Sequence, residues 1–398
     1  MNKGLVQKQL AAFREHAVEV LPEEALTEKI TKAVREEKPL KLKIGLDPTA
    51  SDIHFGHTVV LRKLRKLQDF GHQVYLIIGD FTARVGDPSG RTQLRPVLSE
   101  EEIRRNAETY TSQAFKVLDR NRTCVRWNSE WFSSMLLSDF FPLLGVSTVA
   151  RMLERDDFAQ RMDQKKPLSL SELVYPLIQG YDSVKIQADV EFGGTDQTFN
   201  LFMGRQMQEY FGQVPQAVIT MPLLVGLDGK NKMSKSLDNY IGITEEPGTM
   251  FGKTMSVSDE VMEEYARLLT DFPEEELRSM HPKEAKLALA GKLVAQYHSD
   301  AEAAAARKEF ERVFSARGLP QDIPVYESGA RRVDLIEALS LSGTVPSKNE
   351  ARRLFAQKSV SLLAGDAAVT LEDPVQELPP EGVTLKIGKK RFLRIVPK

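Results

Sequence analysis

A strand, a helix and a second strand follow one another directly near the N-terminus, and this succession constrains the fold most. Residues 40–46 alternate apolar and polar side chains as a strand does, and residues 55–70 carry apolar side chains at helical spacing. Residues 74–78 form a short apolar run with β-branched members, which is typical of a buried parallel strand. This βαβ unit predicts a doubly wound α/β domain whose ligand cleft lies at the carboxyl ends of the strands.

The α/β pattern continues for about half of the chain. Ser99 and Glu102 form a capping box that starts a helix reaching to about residue 118. Further strands are predicted over residues 123–127 and 216–222. Between them, residues 140–164 have an apolar helical pattern with a charged tail.

A helical segment and a small module follow. Helix-forming residues dominate positions 256–317. The Pro- and Gly-containing residues 320–324 and 328–329 predict a linker. From Arg331 onward the pattern is two helices and then four short strands, which start near positions 360, 369, 384 and 391.

Composition excludes several classes of protein. With 41% hydrophobic and 28% charged residues among 398, the chain can bury a large core and is not globally disordered. Cys124 is the single cysteine, so the sequence offers neither an internal disulfide nor a cysteine-rich zinc ribbon. The first ten residues lack an apolar secretion signal, and the apolar stretch at 140–149 is too short to span a bilayer. We therefore expect a cytoplasmic protein.

The charge is unevenly distributed along the chain. The net charge is −2, yet residues 331–398 contain 12 basic and 8 acidic residues and so carry +4. The C-terminal segment is therefore the part suited to an anionic partner.

Two clusters of residues point to phosphate chemistry. The first is Asp47-Pro48-Thr49 followed by His54-Phe55-Gly56-His57, where a strand leads into a helix. A helix N-terminus attracts phosphate, and two histidines three residues apart share one face there. The alternative is a pair of ordinary helix-capping histidines, and zinc binding is less favoured because no Glu or Cys stands at ligand spacing.

The second cluster is a lysine-rich loop, Lys230-Asn231-Lys232-Met233-Ser234-Lys235-Ser236, flanked by Asp228-Gly229 and Asp238-Asn239. Cations on such a loop can neutralise charge that develops on phosphate oxygens and then release the product. A solvated run of charges is the alternative interpretation of this cluster taken alone.

Together the two clusters resemble the paired signatures of class I aminoacyl-tRNA synthetases. The motifs between them are similar to those of the bacterial tyrosyl-tRNA synthetase family: Gly86-Asp87-Pro88-Ser89-Gly90-Arg91, Tyr175-Pro176-Leu177-Ile178-Gln179-Gly180-Tyr181-Asp182 and Gly193-Gly194-Thr195-Asp196-Gln197. The resemblance runs over nearly the full length of the chain. It implies a Rossmann-like catalytic domain over residues 1–228, a signature loop and α-helical domain over 229–325, and an S4-like RNA-binding domain over 331–398.

The resemblance also implies the reaction. Such enzymes activate L-tyrosine with ATP to tyrosyl-adenylate, release pyrophosphate, and transfer tyrosine to the 3′ end of tRNA(Tyr). ATP is a substrate, Mg²⁺ is expected to accompany it, and neither an organic cofactor nor a dedicated metal site is expected. The sequence offers no Ser-His-Asp or Cys-His set, which agrees with catalysis by positioning and electrostatics.

The catalytic and nucleotide-binding roles are carried over from the family onto matching positions. Catalysis is assigned to His54, His57, Lys232, Lys235 and Arg91, the last of which stands where many relatives have lysine. ATP binding is assigned to Asp47, Thr49, His54, Gly56, His57, Gly194, Asp196, Lys232, Met233, Ser234 and Lys235.

Tyrosine recognition is carried over in the same way, onto Tyr175, Gln179, Asp182, Asp87 and Gln197. The first three recur at i, i+4 and i+7, so one helix can present them on one face. Asp182 is expected to accept a hydrogen bond from the substrate phenol, and Asp87, Tyr175 and Gln179 to surround the ammonium group. In that family, phenylalanine is rejected because it leaves the buried acceptor without a hydrogen-bond partner. Without the other motifs, a partly buried polar helix face would explain the same pattern.

The chain departs from the family at one position. Many bacterial relatives carry a tyrosine four residues before Asp47 that contacts the substrate phenol, and here that residue is Lys43. We expect Asp80, after the strand at 74–78, to supply the second contact. A turn-forming role for Asp80 is the equally weighted alternative.

The C-terminal module resembles an S4-type RNA-binding domain. Ser347 can cap a helix on which Lys348, Arg352 and Arg353 project to one side, as a surface that follows phosphates requires. A solvated basic helix is the alternative. Family membership further implies a homodimer, and the apolar residues 140–152 are the expected part of its interface.

Two rival functions remain open at this point. One is a non-catalytic RNA-binding protein built on a synthetase scaffold, which the intact histidines and lysines argue against. The other is the tryptophan enzyme of the same fold, whose motifs lack the Asp-Pro-Thr spacing and the S4-like tail.

Overall fold

The structure is a computed structural model that describes residues 3–48, 52–88, 99–314, 323–364, 367–388 and 391–397. Two compact units divide it, Met1–Ala303 and Ala304–Lys398. The strands of the first unit are β1 Glu19–Leu21, β2 Lys41–Leu46, β3 Gln73–Ile78, β4 Thr123–Trp127, β5 Val190–Gly194 and β6 Ala217–Met221. Those of the second are β7 Val325–Ser328, β8 Arg332–Asp334, β9 Val360–Ala364, β10 Ala367–Thr370, β11 Val375–Glu377, β12 Val383–Ile387 and β13 Arg391–Pro397.

The helices lie between the strands and form most of the segment that follows β6. They are α1 Lys3–Arg14, α2 Glu23–Glu36, α3 Phe55–Asp69, α4 Thr82–Val85, α5 Glu100–Ala114, α6 Ser129–Phe132, α7 Leu137–Leu144, α8 Val149–Met152, α9 Asp156–Asp163, α10 Leu170–Ile186, α11 Thr198–Tyr210, α12 Pro247–Met255, α13 Asp259–Leu269, α14 Glu274–Ser279, α15 Pro282–Tyr297, α16 Asp300–Phe314, α17 Leu335–Leu341 and α18 Lys348–Ala356. Short 3₁₀ turns occur at Arg120–Arg122, Thr195–Gln197 and Lys235–Leu237.

The sheet of the first unit has the strand order β1-β6-β5-β2-β3-β4 within the described residues. All neighbours are parallel except β1, which pairs antiparallel with β6. The chain winds from β2 to β3 and β4 on one side and returns to β5 and β6 on the other. The predicted doubly wound α/β fold is therefore confirmed, and its topological switch point lies between β2 and β5.

Local sequence explains the helix at the switch point. Helix α3 buries an apolar stripe that includes Val59, Leu64 and Leu67, as the helical spacing predicts. Gly71, with φ +96°, follows its end and turns the chain into β3, whose Val74, Leu76 and Ile78 are fully buried. Strand and helix thus fix where residues 54–57 stand at the edge of the sheet.

Helix α10 is positioned by a second capping box. Ser169 accepts a hydrogen bond within the first turn, and its own backbone N–H donates to Glu172 Oε2 over 2.9 Å. Glu172 also pairs with the buried guanidinium of Arg161 at 2.6 Å. The helix then runs for 17 residues and packs along α11, so its polar face keeps a fixed orientation toward the sheet edge.

The predicted helical regions are confirmed with interruptions. The apolar stretch after residue 136 is divided among α7, α8 and α9, because Gly145 ends the first helix and Thr148 caps the second. The region after Ser256 contains α13 to α16. Among the described residues, no helix is both long and apolar enough to cross a bilayer.

The second unit begins within α16, and its part from β7 onward consists of β-strands around an apolar core with two short helices, α17 and α18. Within the described residues its main sheet has the order β10-β9-β12-β13-β7, and β8 pairs with β11. The predicted two helices and four strands are present, and the fold agrees with the expected small α+β module. The linker expected at residues 320–324 and 328–329 fails in its second part, since residues 325–328 are a strand paired in parallel with β13. Residues 320–322 lie outside the described part.

Candidate functional site

A cavity of about 560 Å³ opens at the carboxyl ends of β2 and β5, where a doubly wound sheet binds its ligands. Fifteen residues predicted from the sequence line it, from both clusters, from α10 and from the motifs at 86–91 and 193–197: Asp47, His54, Gly56, His57, Asp87, Tyr175, Gln179, Asp182, Gly194, Asp196, Gln197, Lys232, Met233, Ser234 and Lys235. Thr49 and Arg91 lie outside the described residues. Groups from distant parts of the sequence therefore converge on one cleft.

The two histidines cap helix α3, as the alternative interpretation expected, and still face the cavity. His54 Nδ1 accepts from the backbone N–H of Gly56 over 3.1 Å, and His57 Nδ1 accepts from the backbone N–H of His54 over 3.3 Å. A nitrogen that accepts from an N–H carries no proton, so in the neutral rings the proton resides on Nε2. Capping through Nδ1 thus leaves one N–H donor on each ring.

Both imidazoles are neutral at physiological pH. Burial, together with the neighbouring His57, Lys235 and Lys232, holds the pKa of His54 well below its ordinary value. Burial and Lys235 lower the pKa of His57 to about 4. Neutral Nε2–H groups can donate to phosphate oxygens without adding charge to a site that already contains lysines.

Gly56 permits this arrangement. A Cβ at position 56 would lie 2.9 Å from Cε1 of His54 and 3.0 Å from its Nδ1. A larger residue would therefore displace the His54 ring, whose position depends on the Gly56 N–H.

The lysine-rich loop is held by side chains at its two ends. Asp228 accepts from the Asn231 side chain over 2.8 Å and from the backbone N–H groups of Lys230 and Asn231 at 3.0 Å each, and these bonds lower its pKa to about 2. Asn239 accepts from the Ser234 N–H over 2.8 Å and donates to the Lys232 carbonyl over 3.1 Å. The flanking residues thus fix the loop backbone and aim two of its ammonium groups into the cavity.

Each of these ammonium groups pairs with a carboxylate of the cavity. Lys232 Nζ lies 2.6 Å from Asp196 Oδ2, and Lys235 Nζ bonds to Asp52. Lys235 also lies 5.5 Å from the centre of the Tyr240 ring. These pairs are partly exposed, so an incoming polyphosphate can take the place of the carboxylates at small cost.

Asp182 lies at a buried part of the cavity wall. Its carboxylate accepts from Trp131 Nε1 over 2.9 Å and lies 3.5 Å from Asn128 Nδ2. Burial raises its pKa to about 7, opposed by Lys43, Trp131 and Asn128. Two neutral donors and one nearby cation thus support a desolvated carboxylate that still has acceptor capacity.

Hydrogen bonds tie the remaining predicted side chains together. The Tyr175 hydroxyl donates to Asp47 over 2.8 Å, and Thr82 donates to the other oxygen of that carboxylate over 2.8 Å. Gln197 donates to Asp87 over 2.8 Å. The first two bonds tie the segment after β2 to α10 and α4, and the third ties the turn after β5 to the segment after α4.

The structure does not bring Asp80 to the cavity. Its carboxylate accepts from the backbone N–H of Ser129 over 3.0 Å, where α6 begins. Asp80 stands in the turn after β3, but its carboxylate is directed toward α6 and does not line the cavity, so the structure gives no support to Asp80 as the second phenol contact.

Sequence reasoning missed the residues that support the site from behind. Trp131 and Asn128 follow β4 with no motif to mark them. Asn200 donates to Gln197 over 2.9 Å and accepts from Arg155 over 2.9 Å. Asp52 could have been sought because a carboxylate beside the histidines is a natural partner for the loop lysines.

A larger cavity, about 680 Å³, lies elsewhere in the first unit and is lined by residues including Glu15, Arg62, Lys63, Lys66 and Arg267. None of the predicted site residues lines it. Volume alone therefore does not identify the site, whereas convergence of the sequence clusters does.

In the second unit, the predicted basic side chains all stand on α18. Ser347 caps this helix by accepting from the Glu350 N–H over 3.2 Å. Lys348 pairs with Glu337 at 2.7 Å, Arg353 with Glu350 at 2.8 Å, and Arg352 donates to Asn349 over 3.2 Å. The three side chains are exposed, so these pairs are weak and open to exchange.

Comparison with known proteins identifies similar sequences. The family described as "tRNA synthetases class I (W and Y)" matches residues 35–315. A tyrosine–tRNA ligase of Moorella thermoacetica is 50% identical over 98% of this chain and 96% of its own length. One from Aquifex aeolicus is 47% identical over 98% of this chain and 99% of its own.

Solved structures of lower identity share the fold. A C-terminally truncated mitochondrial tyrosyl-tRNA synthetase of Aspergillus nidulans matches with a TM-score of 0.64 at 22% identity, covering 78% of this chain and 94% of its own. A tyrosyl-tRNA synthetase of Archaeoglobus fulgidus complexed with L-tyrosine matches with a TM-score of 0.61 at 24% identity, covering 76% and 99%.

Proposed function

The chain belongs to the class I tRNA synthetases for tryptophan and tyrosine, and within them to the tyrosine–tRNA ligases, and we propose that its reaction takes place in the cavity between β2 and β5. The enzyme uses ATP to activate tyrosine and transfers it to tRNA. The observation that carries the site assignment is convergence: the histidine pair and the lysines about 180 residues later line the same cavity as the polar face of α10.

We propose that the α10 end of the cavity binds tyrosine. The Asp182 carboxylate, buried and fixed by Trp131, accepts the phenol hydroxyl. Tyr175, Gln179 and Asp87 surround the ammonium group, with Gln197 holding Asp87 in place. Phenylalanine would leave the desolvated carboxylate without its partner, which penalises its binding.

ATP occupies the opposite end in this proposal. The Nε2–H groups of His54 and His57 donate to phosphate oxygens, and Gly56 leaves room for the nucleoside beside them. The remaining nucleotide contacts come from Asp47, Gly194, Asp196, Met233 and Ser234, which line the same cavity. Lys232 and Lys235 leave their carboxylates and neutralise the polyphosphate.

The chemistry then needs no covalent enzyme intermediate. The tyrosine carboxylate oxygen attacks the α-phosphorus, the bond to the bridging oxygen breaks, and pyrophosphate leaves with the negative charge. Lys232 and Lys235 stabilise that charge as it develops, and the histidine donors hold the phosphates in line. A hydroxyl of the 3′-terminal ribose of the tRNA later attacks the acyl carbon of tyrosyl-adenylate; the bond from that carbon to the phosphate oxygen breaks, AMP leaves, and the hydroxyl proton passes to solvent.

Mg²⁺ enters this proposal as a companion of ATP. The ion prefers phosphate oxygens and water, so the nucleotide itself supplies its main ligands. Within the described residues, no group of three or more His, Cys, Asp and Glu side chains could hold a metal ion.

Since tRNA charging supplies translation, we propose that the enzyme acts in the cytoplasm.

Tyrosine-dependent ATP–pyrophosphate exchange tests the proposed function. We expect exchange with tyrosine and less than about one-thousandth of that kcat/KM with phenylalanine, because the buried acceptor is left unpaired. A parallel assay with tryptophan tests whether the chain uses the other amino acid of this enzyme family. No exchange with any of the three would leave an RNA-binding protein, and exchange with tryptophan alone would reassign the substrate.

We also propose that Lys348, Arg352 and Arg353 bind the tRNA backbone, in a domain over residues 331–398 that follows a catalytic domain at 1–228 and a helical domain at 229–325. The triple alanine variant should keep full exchange activity and lose tRNA affinity. The slope of log Kd against log salt concentration should be smaller by about 2 to 3 in this variant, since each phosphate contact contributes roughly one to the slope.

Lys358 offers a matched control on the same unit, because it is exposed and paired with Glu372 at 2.7 Å. Lys358→Ala should change the salt slope by less than the triple variant does. An unchanged slope in the triple variant would exclude α18 from the tRNA interface.

Residues 140–152 are proposed as part of a homodimer interface. Leu137, Phe141 and Val149, in and beside this stretch, expose 71%, 61% and 65% of their surface, an unusual density for a solvated face. We expect Phe141→Asp to halve the molar mass measured by light scattering. Val214→Asp, at an apolar side chain that is 75% exposed outside the patch, should leave it unchanged. A monomeric parent protein would contradict the proposal.

A further inference from the structure

A buried lysine lies behind the tyrosine-binding face. Lys43 replaces the tyrosine expected at this position and is fully buried, as is Glu191, its register partner on the neighbouring parallel strand. Its Nζ lies 2.8 Å from Glu191 Oε1, so the pair bridges β2 and β5 at the switch point of the sheet. Burying two charges is costly, and the mechanism described above uses neither of them.

The ammonium group also holds one turn of α10. Lys43 Nζ donates to the Gln179 carbonyl over 2.9 Å and to the Ser183 hydroxyl over 2.7 Å. These two residues are separated by four positions and lie on either side of Asp182 in the sequence. These two hydrogen bonds fix the helical turn that presents Asp182, and the ion pair with Glu191 is a third contact of the same ammonium group.

A network of buried groups fixes the lysine in turn. The Ser183 hydroxyl donates to Glu191 Oε2 over 3.1 Å, and the Gln216 side chain donates to the same oxygen. All four residues are at most 1% exposed. The ammonium therefore has a single position, behind the helix and away from bulk water, where its charge is poorly screened.

We propose that Lys43 is a positioning residue for tyrosine recognition, which fixes the Gln179–Ser183 turn and supplies the positive charge that keeps Asp182 an ionised acceptor for the phenol. This inference rests on the proposed role of Asp182. It explains how the chain recognises a phenol without the family's tyrosine: Lys43 acts through Asp182 and does not contact the substrate.

Charge on each side of Asp182 sets the expected pH dependence. Lys43 on β2 favours its ionised form, Glu191 on β5 opposes it, and the neutral donors Trp131 and Asn128 face it from the start of α6. Since burial raises the Asp182 pKa to about 7, kcat/KM for tyrosine should fall as the pH drops through that value. Removing Lys43 should move this fall to higher pH, and removing the charge of Glu191 should move it to lower pH.

The test measures ATP–pyrophosphate exchange in Lys43→Met, Glu191→Gln and the double variant between pH 5.5 and 9. At pH 7.5 Lys43→Met should lower kcat/KM for tyrosine about 10- to 100-fold, through KM, with KM for ATP unchanged. The decrease of kcat/KM for tyrosine at acidic pH should move to higher pH in Lys43→Met and to a smaller extent in the double variant. In Glu191→Gln it should move to lower pH. Preference for tyrosine over phenylalanine should decrease in parallel.

Lys63→Met is the matched control. Lys63 is a buried lysine that donates to the Ala12 carbonyl over 2.6 Å and lines the other cavity, so its loss should leave the tyrosine preference and the pH profile intact. If Lys43→Met does not fold, the double variant carries the test, since it leaves no unpaired buried charge.

The inference would be overturned if a folded variant lacking Lys43 kept both the pH dependence of kcat/KM for tyrosine and the preference for tyrosine over phenylalanine. Failure of the parent protein to exchange with tyrosine would overturn the proposed function instead, so the two failures are distinguishable.

Discussion

Lys235→Ala is expected to lower kcat for tyrosine-dependent exchange about 100- to 1,000-fold while KM for tyrosine changes less than about twofold. The ammonium group lies at the end of the cavity that we propose binds the phosphates, where it pairs with Asp52. Negative charge grows on the leaving pyrophosphate mainly in the transition state, so its removal lowers kcat more than it weakens substrate binding. Steady-state exchange with varied tyrosine and ATP measures both parameters.

The same loop provides the control. Lys230 is exposed and does not line the cavity, so Lys230→Ala should retain kcat within about twofold. Equal losses in both variants would mean that the loop contributes only general positive charge. An unaffected Lys235→Ala would remove this lysine from the catalytic assignment.

Asp182→Ala should have the largest effect on amino acid recognition. We expect kcat/KM for tyrosine to fall about 100-fold or more, because the phenol loses a charged acceptor inside a desolvated pocket. The value for phenylalanine should stay level or rise, since no buried carboxylate is left unpaired. Exchange kinetics with both amino acids measure the change in preference.

Asp80→Asn is the control for Asp182→Ala, because it removes a different carboxylate of the same domain. Asp80 accepts from the Ser129 N–H outside the cavity, and asparagine retains an oxygen for that bond. We expect an unchanged KM for tyrosine in this variant. A raised KM would return Asp80 to the phenol site, and an Asp182→Ala enzyme that keeps its preference would remove Asp182 from it.

Periodicity in the sequence predicts most of the fold. The predicted bounds of β2, β3 and β4 agree with the structure to within one residue, because apolar runs bounded by turns are local signals. Strand β7 is not predicted, since Pro324 and Gly329 flank a run of four residues whose one partner strand in the described part of the chain is β13, far along the sequence. Long-range pairing of a short strand leaves no local signal.

The candidate site was predictable only where a motif marks it. The histidine and lysine clusters carry their chemistry in consecutive residues, and so they were found. Trp131, Asn128 and Asn200 act because tertiary packing places them behind other side chains, which no spacing in the sequence encodes. Lys43 was noticed as a departure, yet its partner Glu191 lies 148 positions away and is revealed only by strand register.

The histidines illustrate a further limit of sequence interpretation. Helix capping and phosphate binding are alternatives for His54 and His57 in the sequence, whereas in the structure each ring caps through Nδ1 and also lines the cavity. A single histidine can therefore both cap the helix and donate a hydrogen bond to a ligand, since the two nitrogens of its imidazole ring are distinct.

A crystal structure with a non-hydrolysable sulfamoyl analogue of tyrosyl-adenylate tests the central claim most directly, because one ligand spans both ends of the cavity. We expect the phenol oxygen about 2.7 Å from an Asp182 oxygen, and the sulfamoyl oxygens within about 3 Å of an Nε2 of the histidine pair. An analogue bound in the cavity near Arg62 and Lys66, or one whose phenol lies away from Asp182, would contradict the account.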